Sequence, residues 1–542
     1  MASTGMLAYA PSVFEQHQSV LNAGVLFAIP ALITQGLNRF FKVLNPLPSG
    51  FYALHHIVLI MCFMALCRIK NPEQLKKHSP GEMGKLLGLD RIPEVGYFRT
   101  KIKQITDQSK ADKLHTDLFH QWVEKMPEMF FYIDGHVRVY HGDKANLPKC
   151  FVSRQKLCLS GTTEFWVNDQ QSLPLMVVTA ELNHKLKSAI ESIIPKILEE
   201  IPKVTKPNEP VFTIVVDREA YEPSWFKKLW DQYRVAVITY RKNVKDQWNK
   251  TSFNTTDIQM NNATVTMQLC EKEVQLNGLF FREIRKLSES GHQTSIMTTH
   301  PSLSMENIAA KMFSRWTQEN FFKYMISDFD FDRMIEYGTE TINQKNTIPN
   351  PQYKTLTYQI KKTKGVKTRL ESRIFQKMEN GDKMDIENIA DIITKNSQQL
   401  EKINEYNQDI KKLLEQRANQ PSRISIEQMP EEQRYNKLKI ESKKLKNAVI
   451  MVAYRAESAL YNIMSEFYKS NEKEGRVILK EIFTSDADMI PDYDNKTLTV
   501  RLHSLSTPRA NEAVKKLCAF LNQTDTLFPF TNLALIFETV AV

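Results

Sequence analysis

Cysteine is scarce in this chain, and its six copies, Cys62, Cys67, Cys150, Cys158, Cys270 and Cys518, form no CxxC pair with matching histidine spacing. That excludes a thiolate zinc module, and it suits a protein kept reduced in the cytoplasm. Glycine is also low, 17 residues in 542, which argues against long flexible linkers. No apolar run approaches the about 20 residues needed to cross a bilayer. The two that come nearest, Val25 to Ile33 and Ile57 to Cys67, are expected to be buried helices. No basic segment followed by an apolar one stands directly behind Met1, so no secretory signal is expected.

What is present is ordinary globular composition, 42% hydrophobic and 25% charged, in a chain of 542 residues. That length exceeds one core and predicts two to four domains. A net charge of +10 arises from 72 bases against 62 acids, so the excess is spread over surfaces rather than held in a tail. Such a balance suits a polyanionic partner without identifying one.

Along the chain the expected fold class is multidomain α/β. Residues 1–125 are predicted to be helical, closing in GKLLGLDRIPEVGYFRTKIKQIT, where a short helix, a turn over Asp90 to Pro93 and a basic helix with Arg99, Lys101 and Lys103 suggest a helix-turn-helix. A small helical domain with a solvated basic face is the plainer alternative. From Met129 the period becomes extended: MFFYIDGHVRVYHG, CLSGTTEFWVND and LPLMVVTAEL predict three strands. A helix over His184 to Ile201, the buried strand VFTIVVD, a helix over Pro223 to Tyr233 and the buried strand VAVITY follow. Three strands, helix, strand, helix, strand is the order of a ribonuclease-H-like core. Residues 241–300 predict an antiparallel β insertion, and one helix is expected from Ser304 to about Met325. The core is thus placed at 126–345. Residues 346–472 predict two long helices packed as a hairpin, IENIADIITKNSQQLEKINEYNQDIKKLLEQ with YNKLKIESKKLKNAVIMVAYRAESALYNIMSEFY, and 473–542 a small α/β unit alternating strand and helix through VILKEIF, KTLTVRLH, NEAVKKLCAFLN and LALIFE.

Three acids occupy informative places. In the expected sheet the first and fourth strands are central neighbours; Asp134 ends the apolar part of the first and Asp217 ends the fourth. Glu319 falls on the following helix, with Phe322 and Met312 expected to face the sheet. Convergent carboxylates are what a pair of Mg²⁺ ions about 3.5 to 4 Å apart requires for hydrolysing a phosphodiester. Each acid also has a plainer explanation: Asp134-Gly135 as a hairpin turn, Asp217 as a helix N-cap, Glu319 as a solvated helix residue. Arg315, one turn before Glu319, is a candidate phosphate ligand or the partner of an acid such as Glu319. His136 and His141 flank the first strand and need be no more than surface histidines. Trp166 and Trp316 are expected in the core, and the charges of residues 400–450 on a solvated face.

The passages FYIDGHVRVYHG, IVVDREAY and RWTQENFFKY resemble the three acidic motifs of bacterial insertion-sequence DDE transposases with a β insertion before the glutamate. The similarity spans roughly residues 129–330, with a weaker match of GLDRIPEVGYFRTKIKQI to the DNA-binding region of such enzymes. It implies that Asp134, Asp217 and Glu319 are catalytic metal ligands for two Mg²⁺, with Mn²⁺ as a substitute. The family signature around the glutamate is Tyr, Arg three later, Glu four later, Lys seven later. Arg315 and Glu319 keep that spacing, whereas Met312 and Ile326 replace the Tyr and Lys that contact the transposon end, and Lys323 is the available replacement. Implied too are a bacterial, nucleoid-associated location, double-stranded DNA as partner through Arg315, Lys323, Arg99, Lys101 and Lys103, and a homodimer in the DNA complex. The rival expectation is a catalytically idle descendant that only binds DNA.

Overall fold

Segments that alternate or run continuously in β-branched and aromatic residues pair, in the computed structural model, into one ten-stranded mixed sheet, with a four-stranded and two two-stranded sheets besides it. The structure describes residues 1–2, 4–139, 149–152, 157–181, 185–201, 208–260, 263–276, 278–331, 339–340, 347–379, 397–425, 428, 437–438, 440–469 and 471–540. It divides into one unit of Met1–His141, Pro148–Tyr337 and Lys439–Val542 and a second of Gly142–Leu147 and Gly338–Leu438.

The first unit opens with strand β1 (His17–Val20), a 3-10 turn (Ala23–Ala28), α1 (Ile29–Thr34), α2 (Leu37–Val43), α3 (Leu54–Leu66), α4 (Pro80–Lys85), α5 (Val95–Thr106) and α6 (Ala111–Val123). Both early apolar stretches are buried helix: every residue of the Ala23–Ala28 turn is buried, as is nearly all of α3. No single described helix is long and apolar enough to cross a membrane; the bent pair Ala23–Thr34 and Leu37–Val43 passes that test only jointly, across a 62° break.

Next come β2 (Phe130–Val139), β3 (Lys149–Val152), β4 (Leu157–Asn168), β5 (Pro174–Glu181), α7 (Leu186–Glu200), β6 (Phe212–Val216), α8 (Pro223–Tyr233) and β7 (Val235–Tyr240), the expected succession with β3 added. β5, β4, β2, β6 and β7 are neighbours in that order; β4 runs antiparallel to β2 and to β5, while β2, β6 and β7 are mutually parallel. The central strands are apolar on both sides because both faces are covered: Phe131, Ile133, Ile214 and Val216 join the main core, and Phe130, Tyr132, Val215 and Ile238 a second cluster. The insertion supplies β8 (Asn254–Met260), β9 (Ala263–Leu276), β10 (Leu279–Leu287) and β11 (Gln293–Thr298), which extend the sheet as β7-β11-β10-β9-β8. α9 (Met305–Phe313) closes the second cluster through Ile308, Ala309 and Met312.

The single helix expected from Ser304 to Met325 is two. After α9 the chain bends at Ser314 and Arg315, where Arg315 N–H bonds Met312 O and Gln318 N–H bonds Arg315 O in three-residue turns, and α10 (Trp316–Ser327) begins.

In the second unit β12 (Thr339–Glu340) and β13 (Thr347–Pro349) precede α11 (Pro351–Glu379), and α12 (Ser397–Ala418) is followed by β14 (Arg423–Ser425) and β15 (Lys437–Leu438). α11 and α12 form an antiparallel hairpin whose open end is tied by the β13–β14 ladder and by the Asn350 side-chain amide donating to Pro421 O. The expected hairpin partner of α12 is therefore corrected. The YNKLKIESKK…SEFY segment instead forms α13 (Glu441–Ser465) of the first unit, where Ala448 to Ala453 are all buried; a helix buried on every side over that stretch belongs in a core rather than a two-helix hairpin. The expected IENIADIITK portion, residues 386–395, lies outside the described residues.

The chain ends with α14 (Glu472–Thr484), β16 (Ala487–Asp492), β17 (Thr497–Leu502), α15 (Pro508–Asn522) and β18 (Ala534–Thr539). VILKEIF, expected as strand, lies in α14, whose N-terminus Asn471 caps by accepting Glu474 N–H at 2.9 Å. β1 from the other end of the chain completes this sheet, in the order β1-β16-β17-β18. One hydrophobic cluster accordingly runs from Val20 through Phe131 and Val452 to Leu535, across segments that composition had set apart.

Candidate active site

Parallel pairing of β2 with β6 sets Ile133 opposite Val216, so the next residues, Asp134 and Asp217, stand at the same level on adjacent strands. The β6–β7 register, Val215 opposite Ile238, extends that level to Tyr240. Because alternate residues share a face, all three lie on the side that carries Tyr132, Val215 and Ile238, the side covered by α9.

Asp134 is not in a turn. It sits within β2 opposite Trp166, and Gly135 is there for a packing reason: a Cβ on it would lie 3.1 Å from the Phe165 ring. The Gly135 N–H donates to Asp134 Oδ1 at 2.8 Å. Asp217 does precede a 3-10 turn, Arg218–Ala220, but its side chain makes no capping bond. Its carboxylate is turned to Arg315. The guanidinium of Arg315 spans both acids, Nη1 to Asp134 Oδ2 and Nη2 to Asp217 Oδ1, each at 3.5 Å. The Asp134 carboxyl is held above the usual aspartate range, chiefly by burial and further by the nearby Asp217 and Glu219; Arg315 and the Gly135 N–H oppose this. Tyr240 feels the same centre: burial raises its phenol, Arg315 lowers it and Asp217 raises it again.

The bend before α10 explains the reach of Arg315. Helix α10 is pinned by Gln318, whose Oε1 accepts from the buried Asn168 amide at 2.8 Å, by Phe322 stacked on His136 at 5.4 Å, and by Phe321 against Trp166. His136, expected at the surface, is thus a core residue, while His141 lies outside the described residues. Trp166 is buried as expected, whereas Trp316, expected in the core, is 65% exposed at the first position of α10, because Gln318 and Phe321 take the inward face. Met312 is fully buried.

Glu319 is exposed one helical turn beyond Arg315, and Lys323 is exposed one turn further. Among the described residues no three His, Cys, Asp or Glu side chains are grouped to hold one metal ion; Asp134 and Asp217 are brought together at Arg315, and Glu319 stands on the exposed face of α10. Of the basic residues on α5, Lys103 is exposed, Arg99 pairs with Glu73 at 2.7 Å, and Lys101 is buried beside the Tyr97 ring. Lys101 therefore faces protein.

Sequence reasoning missed Tyr240. It ends VAVITY as Asp217 ends VFTIVVD, so the rule that located Asp217 would have located it.

Compared with known families, the chain matches a model described as "Transposase protein" over residues 1–541. None of the curated proteins compared with it matches.

Proposed function

The chain belongs to this family of transposases, enzymes that cut and join DNA strands, and from that premise we propose that it is a DDE transposase with a ribonuclease-H-like core whose chemistry is centred on Asp134 and Asp217. The observation that carries the reading is the placing of these two acids at one level of neighbouring parallel strands, with one arginine spanning both. The strand order β5-β4-β2-β6-β7 with β4 reversed is what supports the ribonuclease-H-like assignment.

Two carboxylates facing one point are a donor set suited to hard divalent cations, and the tendency of Asp134 toward its protonated form is what a nearby positive charge would reverse. Asp134 and Asp217 would hold Mg²⁺, with Glu319 the third ligand by family resemblance. Bound there, Mg²⁺ supplies an activated water at neutral pH and stabilisation of the departing 3′ oxygen.

The chain's own residues do the rest. Arg315, drawn from the acids by a DNA phosphate, provides a bidentate contact at the scissile position. Phe322 and Gln318 fix α10 against the sheet, so that Glu319 and Lys323 are presented on its outer face. The reading requires Glu319 to join the two aspartates when DNA and metal bind, since no three acids able to hold one ion are grouped among the described residues. After nicking, the freed 3′-OH would attack a target phosphodiester at the same carboxylates, forming a new bond to that phosphorus as the target strand's own P–O3′ bond breaks and its 3′ oxygen leaves protonated.

The test is incubation of the purified protein with duplexes carrying its flanking inverted repeats and Mg²⁺, wild type beside Asp217→Ala. Cleavage at the repeat ends by wild type alone, with duplex binding kept in both, is expected. Equal cleavage by the two proteins would defeat the assignment.

A further inference from the structure

The hairpin of the second unit is electrically lopsided. α11 carries eight bases (Lys354, Lys361, Lys362, Lys364, Lys367, Arg369, Arg373 and Lys377) against two acids, Glu371 and Glu379. α12, its partner, carries four of each. A solvated helix needs no such excess, and the balanced α12 meets the same requirement without one.

The placement of the bases matters more than their number. At 3.6 residues per turn, Lys354, Lys361, Lys362, Arg369 and Arg373 fall in one sector of roughly 120°, about 28 Å long. All five are exposed, and the one acid of α11 on that side, Glu379, stands at the sector's edge about 9 Å along the axis beyond Arg373. Glu371 lies elsewhere, paired with Lys367 at 3.4 Å. The opposite side holds Ile360 and Ile374, buried, and Leu356 and Leu370, part-buried, so the basic sector points away from the hairpin's own apolar seam. Within the sector stand Tyr358, 67% exposed, and Gly365, around which a Cβ would meet nothing within 4 Å. An exposed phenol donates to a phosphate or sugar oxygen, and a residue without a side chain lets a bulky backbone approach the helix closely.

We propose that this face of α11 is a docking surface for the phosphate backbone of double-stranded DNA, independent of base sequence. Charge complementarity decides the occupant: a row of like charges on a rigid helix fits a polymer carrying a negative charge about every 1.7 Å of its axis. An acidic protein is the competing partner, and DNA binding left unchanged when these bases are replaced would leave it as the occupant. The inference rests on the chain's acting on DNA, and places a contact region far in sequence from the acids.

The experiment uses the full chain with Lys361→Gln, Lys362→Gln, Arg369→Gln and Arg373→Gln combined, beside Lys411→Gln with Lys412→Gln on α12 as control. Binding to a fluorescent 40-base-pair duplex, bearing either the inverted repeat or an unrelated sequence, is measured by anisotropy across a salt series. Circular dichroism and the melting temperature check folding. The α11 variant is expected to bind both duplexes about 100-fold more weakly at low salt, with the slope of log K against log salt shallower by roughly three to four. The control keeps the wild-type slope. An unchanged affinity and slope in the α11 variant, or a loss confined to self-association, would overturn the proposal. Asp217→Ala is expected to keep the wild-type slope, so a failure of the catalytic reading shows as missing cleavage and leaves the binding result standing.

Discussion

At the level of single residues the active site is a balance between two aspartates and one arginine. Arg315 and a divalent cation compete for the same oxygens, Asp134 Oδ2 and Asp217 Oδ1. Arg315→Gln is therefore expected to bind Mn²⁺ about tenfold more tightly in the absence of DNA, a difference of roughly 1.4 kcal/mol, while cleaving more slowly because the phosphate contact is lost. Titration calorimetry reads the first effect directly, and an unchanged or weaker Mn²⁺ affinity would show that the arginine does not compete. The shared level of the two aspartates was legible in the sequence, because Asp134 ends the apolar part of β2 and Asp217 follows the apolar run of β6. The environment of Asp134 was not. Asp-Gly is locally a turn pair, and it is the ladder with β4, continued past it to Val139 opposite Gly161, that holds it within a strand. Nor could helical spacing foretell the outward Trp316, since the bend at Ser314 and Arg315 resets which positions of α10 face the sheet.

At the level of elements, the helix bearing Glu319 is anchored by a buried polar network. Glu457 on α13 is fully buried and accepts from Arg68 at 2.7 Å, from Arg476 at 3.0 Å and from the Tyr324 hydroxyl of α10 at 2.5 Å. Burial and the nearby Glu457 carboxylate push the Tyr324 phenol well above its ordinary range, so it stays a donor. Removing the carboxylate leaves two nearly buried guanidiniums without it, a change that costs about 3 to 5 kcal/mol. Glu457→Ala is expected to lower the melting temperature by several degrees or abolish folding, and Glu457→Gln, which keeps an acceptor, to lose less. Equal melting of all three proteins would mean that the network does not hold α10. Strand order was readable because alternation and length separate strands from helices. The pairing of long helices was not, because α12 and α13 both show helical period, and only all-round burial distinguishes the core helix from the hairpin.

At the level of the whole first unit, the two ends of the chain close on each other. β1 pairs with β16, Val20 opposite Ala487, and His55 of α3 stacks on Phe530 at 4.1 Å. A four-residue strand, HQSV, carries no period by which a sequence reading could find a partner so far along the chain. The closure makes a pH dependence. Burial lowers His55 from 6.5 to about 4; burial, with repulsion from His55 at 4.0 Å between ring centres, lowers His56 to about 3. Both rings are neutral in the fold, and His56 Nδ1 must be, since it accepts the Ala53 N–H. The unfolded chain takes up these protons below pH 6.5 and the folded chain does not, so stability falls as pH drops from 6.5 toward 4 for His55 and toward 3 for His56, and is constant in this respect above neutrality. The His55 share at pH 4.5 is about 2 to 3 kcal/mol. His55→Phe preserves a ring against Phe530 and removes that share. Urea unfolding at pH 7.5 and pH 4.5 is expected to give the variant a smaller acid loss by that amount, and coincident pH profiles for the two proteins would show that the His55 ring is already charged where it stands.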